Sequence, residues 1–242
     1  MYDETAATLF KRLGNRNNIF QWSMMSSQCS KIEQKFTFDE VVEVTAHSKD
    51  MQELRLDLLL SFARSMKTPT LVIHVSCDNS LSCALAQGRE DKNSLVVDLI
   101  SRGRLKCVTV STALQLFALF DLLQYTLNEP SNEMGDYAAP ECTLLILDNL
   151  EPLLQQHQHA AQERHSHISS NLATKLQSLT ETQSVLGFWL REAVQEPIAA
   201  ELPNVATSST TGAARQAAKM ETSPWGQLLK RRIHYFPRID AI

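Results

Sequence analysis

From Cys142 to Leu150 the chain reads CTLLILDNL, an unbroken run of bulky apolar residues closed by a carboxylate, Asp148, and an amide, Asn149. Strands buried on both faces read this way, without polar alternation. Such a strand needs cover on both sides of its sheet, which points to a layered α/β fold. A carboxylate at the carboxyl end of a strand lies where ligands of open α/β sheets bind. In phosphate-handling proteins that position holds the acid facing a magnesium ion. The alternative is a structural residue capping the following turn, with Asn149 bonding the backbone.

The flanking sequence supplies further strands and helices. Residues 70–75 (TLVIHV) form a β-branched apolar run, and 107–110 (CVTV) and 185–190 (VLGFWL) are similar. Residues 94–100 (SLVVDLI) read as another strand, ending near Asp98, and 232–236 as a last one. Phe36–Phe38 and Val41–Val44 suggest one or two strands ahead of the main sheet. Apolar residues at helical spacing predict helices over 50–66 (Met51, Leu54, Leu58, Phe62, Met66), 112–128 (Leu116, Leu119, Phe120, Leu123, Leu127) and 168–182. Shorter helices are expected at 5–13 and 81–87, and a helix or turn at 150–156. Residues 14–18 and 23–30 read as irregular, 128–140 as a polar loop, and 192–224 as a long loop rich in Ala, Ser, Thr and Pro. Strands alternating with helices imply a mostly parallel central sheet flanked by helices. Residues 1–35 read as an amino-terminal cap and 36–242 as the core domain.

A phosphate loop of the form GxxxxGK[ST] is expected between the first core strand and its helix, where backbone amides and a lysine cradle phosphate. With the first core strand at 70–75, that place is filled by VSCDNSLS from Val75 to Ser82, which has neither Gly nor Lys. The turn is poorly suited to an anion nest and Asp78 repels phosphate there, while Asp78 or Ser80 can cap the helix expected at 81–87. Asp78, Ser80 and Asp148 are therefore positions of degenerate nucleotide motifs, and no nucleotide cofactor or hydrolysis is expected.

The remaining composition narrows the class. The 242 residues carry a formal charge of −4, so any nucleic-acid contact must come from local basic patches. Hydrophobic residues make up 43%, which excludes a wholly disordered chain. Cys29, Cys77, Cys83, Cys107 and Cys142 lack CxxC spacing and read as reduced thiols. His157, His159, His165 and His167 fit no standard ligand spacing, so no metal is expected. His74, inside an apolar strand, reads as a satisfied core residue. No GxSxG elbow supports a hydrolase. The amino terminus lacks a signal-peptide pattern and no apolar run is long enough to span a bilayer, so no membrane association is expected.

Taken in order, the strand and helix at 70–87, VVD at 96–98, the strand and helix at 107–128, ILDNL at 146–150, the helix at 168–182 and LGFW at 186–189 resemble the core of the RecA/RadA recombinase superfamily. The resemblance spans about residues 68–236. With its degenerate first phosphate loop and short length, the chain is most similar to the Shu-complex recombinase paralogues. That resemblance implies a nuclear, non-catalytic subunit. It would pair with a second RecA-like subunit as a heterodimer, bind forked or single-stranded DNA, and act with the recombinase and other paralogues to promote filament assembly in homologous recombination and error-free damage tolerance. The family's DNA contacts come from basic residues after the last core strands, which here match Arg215, Lys219, Lys230, Arg231 and Arg232. The early stop at Ile242 is expected to remove a closing strand.

Two readings of Lys230–Arg232 stay open: phosphate contact, or a solvated start to the last strand. Trp225 either stacks on a base or packs its loop onto the domain. Arg102, Arg104 and Lys106 read as a solvated loop. A second functional expectation, from a different class, is a RecA-like scaffold subunit of the Elongator complex in transfer-RNA modification.

Overall fold

A computed structural model describes residues 19–25, 31–65, 70–78, 81, 96, 98–127, 142–155, 162–193, 225 and 228–237. A six-stranded sheet runs through them in the order β5-β4-β6-β7-β3-β8, and every neighbouring pair is parallel. Its strands are β3 (Val41–Ala46), β4 (Thr70–Ser76), β5 (Leu105–Thr109), β6 (Cys142–Asp148), β7 (Val185–Glu192) and β8 (Arg231–His234). Two more strands, β1 (Ile19–Met25) and β2 (Lys31–Thr37), form an antiparallel hairpin.

The apolar run that opened the sequence reading is β6, and all seven of its residues are buried. Successive side chains point to opposite faces. Cys142, Leu144 and Ile146 enter one core with Phe188, and Leu145 and Leu147 enter the other with Trp189. Continuous hydrophobicity is thus two alternating patterns superposed, one per face.

The first face is covered by the hairpin and by α1 (Met51–Ser65), whose Met51, Leu54, Leu58 and Phe62 are buried as their spacing predicts. Phe20, Trp22 and Phe36 of the hairpin pack on Phe62, Phe188 and Tyr235. The hairpin therefore shares the sheet's core, and residue 35 falls inside β2. Residues 23–25, expected to be irregular, belong to β1. The second face is covered by α2 (Ala113–Thr126), α3 (Glu151–Gln155) and α4 (Gln162–Gln183). At the start of α2, Thr112 Oγ1 accepts from the Gln115 N–H at 3.2 Å, and Gln115 Oε1 accepts from the Ser111 N–H at 2.7 Å. This reciprocal cap sets where the helix begins.

Two sequence expectations are corrected. The sheet begins at β3, not at residue 70, and β3 lies inside it between β7 and β8. Val41–Ala46 followed by α1 is itself a complete strand–helix unit, which its shortness disguised.

Residues 96 and 98–101 are helical, so the strand expected at 94–100 is not formed. Buried Val96 and Leu99 stand three apart, which is helical spacing. The helix ends in a paired cap: the Gly103 N–H donates to the Ile100 carbonyl at 2.9 Å and the Arg104 N–H to the Leu99 carbonyl at 2.7 Å. Gly103 takes φ +62° to make this possible, and Arg102 pairs with Asp98 one turn back. The VVD leg of the RecA resemblance therefore rests on a helix.

The helices expected at 5–13 and, beyond Leu81, at 81–87, the loop at 128–140 and, beyond Ala193, the loop expected at 192–224 lie outside the described residues; Glu192, expected to open that loop, ends β7.

The left-handed conformation at Gly103 costs an L side chain roughly 1–2 kcal/mol. Gly103→Ala is expected to lower unfolding stability by about that much in a urea titration, while Gly103→Asn loses less.

Candidate functional site

Ligands of open parallel sheets bind at the strands' carboxyl ends, at the point where successive connections leave in opposite directions. Here that point lies between β4 and β6. The strand following β4 is β5 on one side, and the strand following β6 is β7 on the other. Register places Ser76 opposite Asp148 at the mouth of this crevice.

Asp148 is fully buried. Arg55, projecting from α1, donates through Nε to Oδ2 at 2.5 Å and through Nη2 to Oδ1 at 3.0 Å. From β4, His74 Nε2 lies 2.9 Å from Oδ2, so the Nε2–H tautomer donates there. Three donors thus fill most of the carboxylate's acceptor capacity. Burial alone raises the carboxyl pKa, but the hydrogen bonds from His74 and Arg55 outweigh it and hold Asp148 below the usual carboxylate range. A divalent cation could take this carboxylate only by displacing a guanidinium. Among the described residues no group of three His, Cys, Asp or Glu side chains could hold a metal ion.

The turns beside Asp148 do not favour an anion. After β4, the Ser76 hydroxyl donates to the Asp78 carbonyl, and Cys77 Sγ lies 3.4 Å from the Asn149 carbonyl oxygen. Burial raises the Cys77 thiol pKa, and the charges of Asp78, Glu151 and Asp148 raise it further, opposite to an activated thiolate. Asn149 sits at φ 50°, a conformation Asn tolerates better than most residues. Ser80 lies outside the described residues.

Because the sheet starts at β3, the turn a phosphate loop would fill is 47–50, not 75–82. That turn is a single 3-10 turn, Ser48–Asp50, with no glycine. It is too short for GxxxxGK[ST], so the motif is missing at both places.

A second charged cluster lies on the other side of β6. Arg191 of β7 bonds Glu43 Oε1 at 2.5 Å and also pairs with Glu151. Trp189 Nε1–H donates to Glu151 Oε1 at 3.1 Å. Burial lifts the Glu151 pKa despite its partners, whereas at Arg191 the bonds to Glu43 and Glu151 overcome burial and hold the charge more firmly.

The basic run 230–232 is paired throughout. Lys230 Nζ lies 2.9 Å from the Asp39 carbonyl oxygen and 3.5 Å from its carboxylate. Arg231 Nε meets Glu40 Oε2 at 3.0 Å, donates to the Lys35 carbonyl at 2.7 Å and lies over the Phe36 ring. Arg232 Nε meets Glu43 Oε2 at 3.0 Å, and the register sets these two residues directly opposite each other. The three cations are half exposed, while Glu40 and Glu43 beneath them are buried. The row fastens β8 to β3. The acids, at 39, 40 and 43, are what sequence reasoning missed; their only signal was the sequence position of β3 itself.

Trp225 is buried and meets Trp189 edge-on at 4.4 Å between ring centroids, which is the packing alternative. Arg215, Lys219, His157 and His159 lie outside the described residues; residues 165 and 167 fall within α4. No family model matches the chain, and no curated protein matches it significantly.

Removing one partner of a buried ion pair costs about 3–5 kcal/mol. Arg55→Met and Asp148→Asn should each show losses of that order in chemical denaturation, with the double variant losing much less than their sum. A depressed folded-state pKa means Asp148 stabilises fully above the ordinary carboxylate pKa, and this contribution is lost as pH falls through the folded value. Asp148→Asn should accordingly flatten the acid limb of the stability–pH curve. At the basic row, Arg231→Ala should cost about 1–3 kcal/mol in the same assay, against no more than about 0.5 for exposed Lys49→Ala.

Proposed function

We propose that this chain is a RecA-like assembly subunit that performs no nucleotide chemistry. In this reading it is of the Shu type: it pairs with a second RecA-like subunit and serves recombinase assembly on forked or single-stranded DNA in the nucleus. The observation that carries the non-catalytic part is the filling of the Asp148 carboxylate by Arg55 and His74. The acid that would watch a magnesium ion is committed to holding α1 on the sheet. The all-parallel sheet with an acid-ended central strand supports the RecA-like part.

DNA contact in this reading falls first to Arg215 and Lys219. Lys230 and Arg232, half exposed, contribute less, because Asp39, Glu40 and Glu43 already offset much of the 230–232 charge. The same offset favours a second reading, a RecA-like scaffold subunit such as those of Elongator, which needs a stable edge strand more than a basic one.

Co-expression with a recombinase-paralogue partner, followed by anisotropy on forked DNA, separates the two. The first reading expects a heterodimer whose log affinity falls linearly with log salt. Arg215→Ala with Lys219→Ala should reduce that slope by roughly two. A heterodimer with no DNA affinity, or recovery of the chain only in a ring of RecA-like subunits, would rule it out. ATP turnover that depends on Asp148 would rule out both readings.

A further inference from the structure

Of the described cysteines, Cys142 is buried, Cys77 is half-buried and Cys107 is exposed. Cys107 lies on β5, the strand that ends the sheet on the β4 side. The register sets it directly opposite His74 of β4. Opposed residues of neighbouring parallel strands point to the same face, and the strands lie about 4.8 Å apart. That face is the one of Val72 and Leu105, the pair two residues earlier, both of which enter the first core.

His74 is buried, and its Nε2–H is given to Asp148 on β6. In that tautomer Nδ1 carries the lone pair. The two nitrogens of an imidazole point to nearly opposite sides of the ring, and β6 and β5 flank β4 on opposite sides. With Nε2 committed to β6, Nδ1 turns toward β5 and Cys107. A carboxylate, an imidazole and a thiol thus follow one another across three adjacent strands. In that order an acid orients a base, and the base takes a nucleophile's proton.

The surrounding charge favours a thiolate at Cys107. Arg104 and Lys106 precede it, β5 reads LKCVT without an acid, and Asp98 just upstream is paired with Arg102. Cys77 has the opposite surroundings, since Asp78, Glu151 and Asp148 all hold its proton on. Cations and an imidazole beside a partly exposed thiol are what activate it. Asp148 lies behind His74, where its charge stabilises the imidazolium formed when the base takes the proton, and Arg55 keeps that carboxylate ionised.

We propose that Cys107 is a nucleophilic thiol that exchanges with low-molecular-weight disulfides, with His74 as its base. His74 Nδ1 takes the Sγ proton, and the Cys107 sulfur attacks one sulfur of the disulfide. That S–S bond breaks as a new one joins Cys107 to half of the reagent. The other half leaves as a thiolate and takes the proton from His74. The disulfide is the oxidant: its leaving sulfur is reduced to a thiol as Cys107 is oxidised. The inference uses neither the basic row nor DNA and does not depend on the reading of the preceding subsection.

The test uses the full chain, with iodoacetamide and glutathione disulfide as probes and peptide mass spectrometry to read each cysteine separately. The alkylation rate of folded Cys107 against pH should have its midpoint about one unit or more below that of the same residue in urea. His74→Gln keeps an N–H for Asp148 and removes the base; with circular dichroism unchanged, its midpoint should return to the unfolded value. Glutathione disulfide should modify Cys107 about tenfold or more faster than Cys77. A folded midpoint at or above the unfolded one overturns the proposal, as does a lowered midpoint that His74→Gln leaves in place. Equal modification of Cys77 and Cys107 overturns it too. If His74→Gln does not fold, the wild-type midpoint and the comparison with Cys77 decide the matter.

Discussion

Everything at the carboxyl end of the sheet depends on one buried charge. Asp148 ends β6, whose seven residues are all buried, and a carboxylate there is tolerable only if it is paired and hydrogen-bonded. Arg55 and His74 meet that demand, and in doing so they tie together three elements: α1, β4 and β6. The helix that follows the first strand is thereby fixed against the central one. A site that in a nucleotide enzyme would stay open for a metal becomes the internal fastening of the domain.

The second charged cluster repeats this logic at the other edge. Glu43 lies in the interior of β3, where a carboxylate would be unstable alone, and Arg191 and Arg232 reach it from the strands on either side. A line of alternating charge thus crosses β7, β3 and β8. In such a line the cations cannot be assigned to a ligand until the acids beneath them have been counted.

The strongest elements were legible because they rest on local rules. β6, β4 and β7 announced themselves as apolar runs, and α1 and α2 as helical stripes. The segment 94–100 misled because Leu95, Val96 and Val97 favour a strand when read singly. The opposing signals were present in Gly103 as a left-handed terminator and in the Asp98–Arg102 pair at helical spacing. The candidate site was legible only in part. Asp148 stood out, but its partners lie 93 and 74 residues away in sequence, and no local pattern joins them. Likewise the acids under Arg231 and Arg232 are visible only once β3 and β8 are known to be neighbours.

That neighbourhood bears on how the chain folds. The Thr45 hydroxyl bonds the Ile233 carbonyl oxygen across 188 residues of sequence. The first strand of the sheet is thus completed by its last, and β3 stays an open edge until β8 arrives. Closing so long a loop is slow, because its entropy must be lost before the contact forms. During synthesis, β3 and β7 can pair while β8 is still being made, leaving the acidic flank of β3 facing water. Arg191 of β7 already meets Glu43 at that stage, but Glu40 still lacks Arg231 and acts as a gatekeeper, since a charged edge resists pairing with the wrong strand. The arginine that later pairs with it arrives on the strand that belongs there.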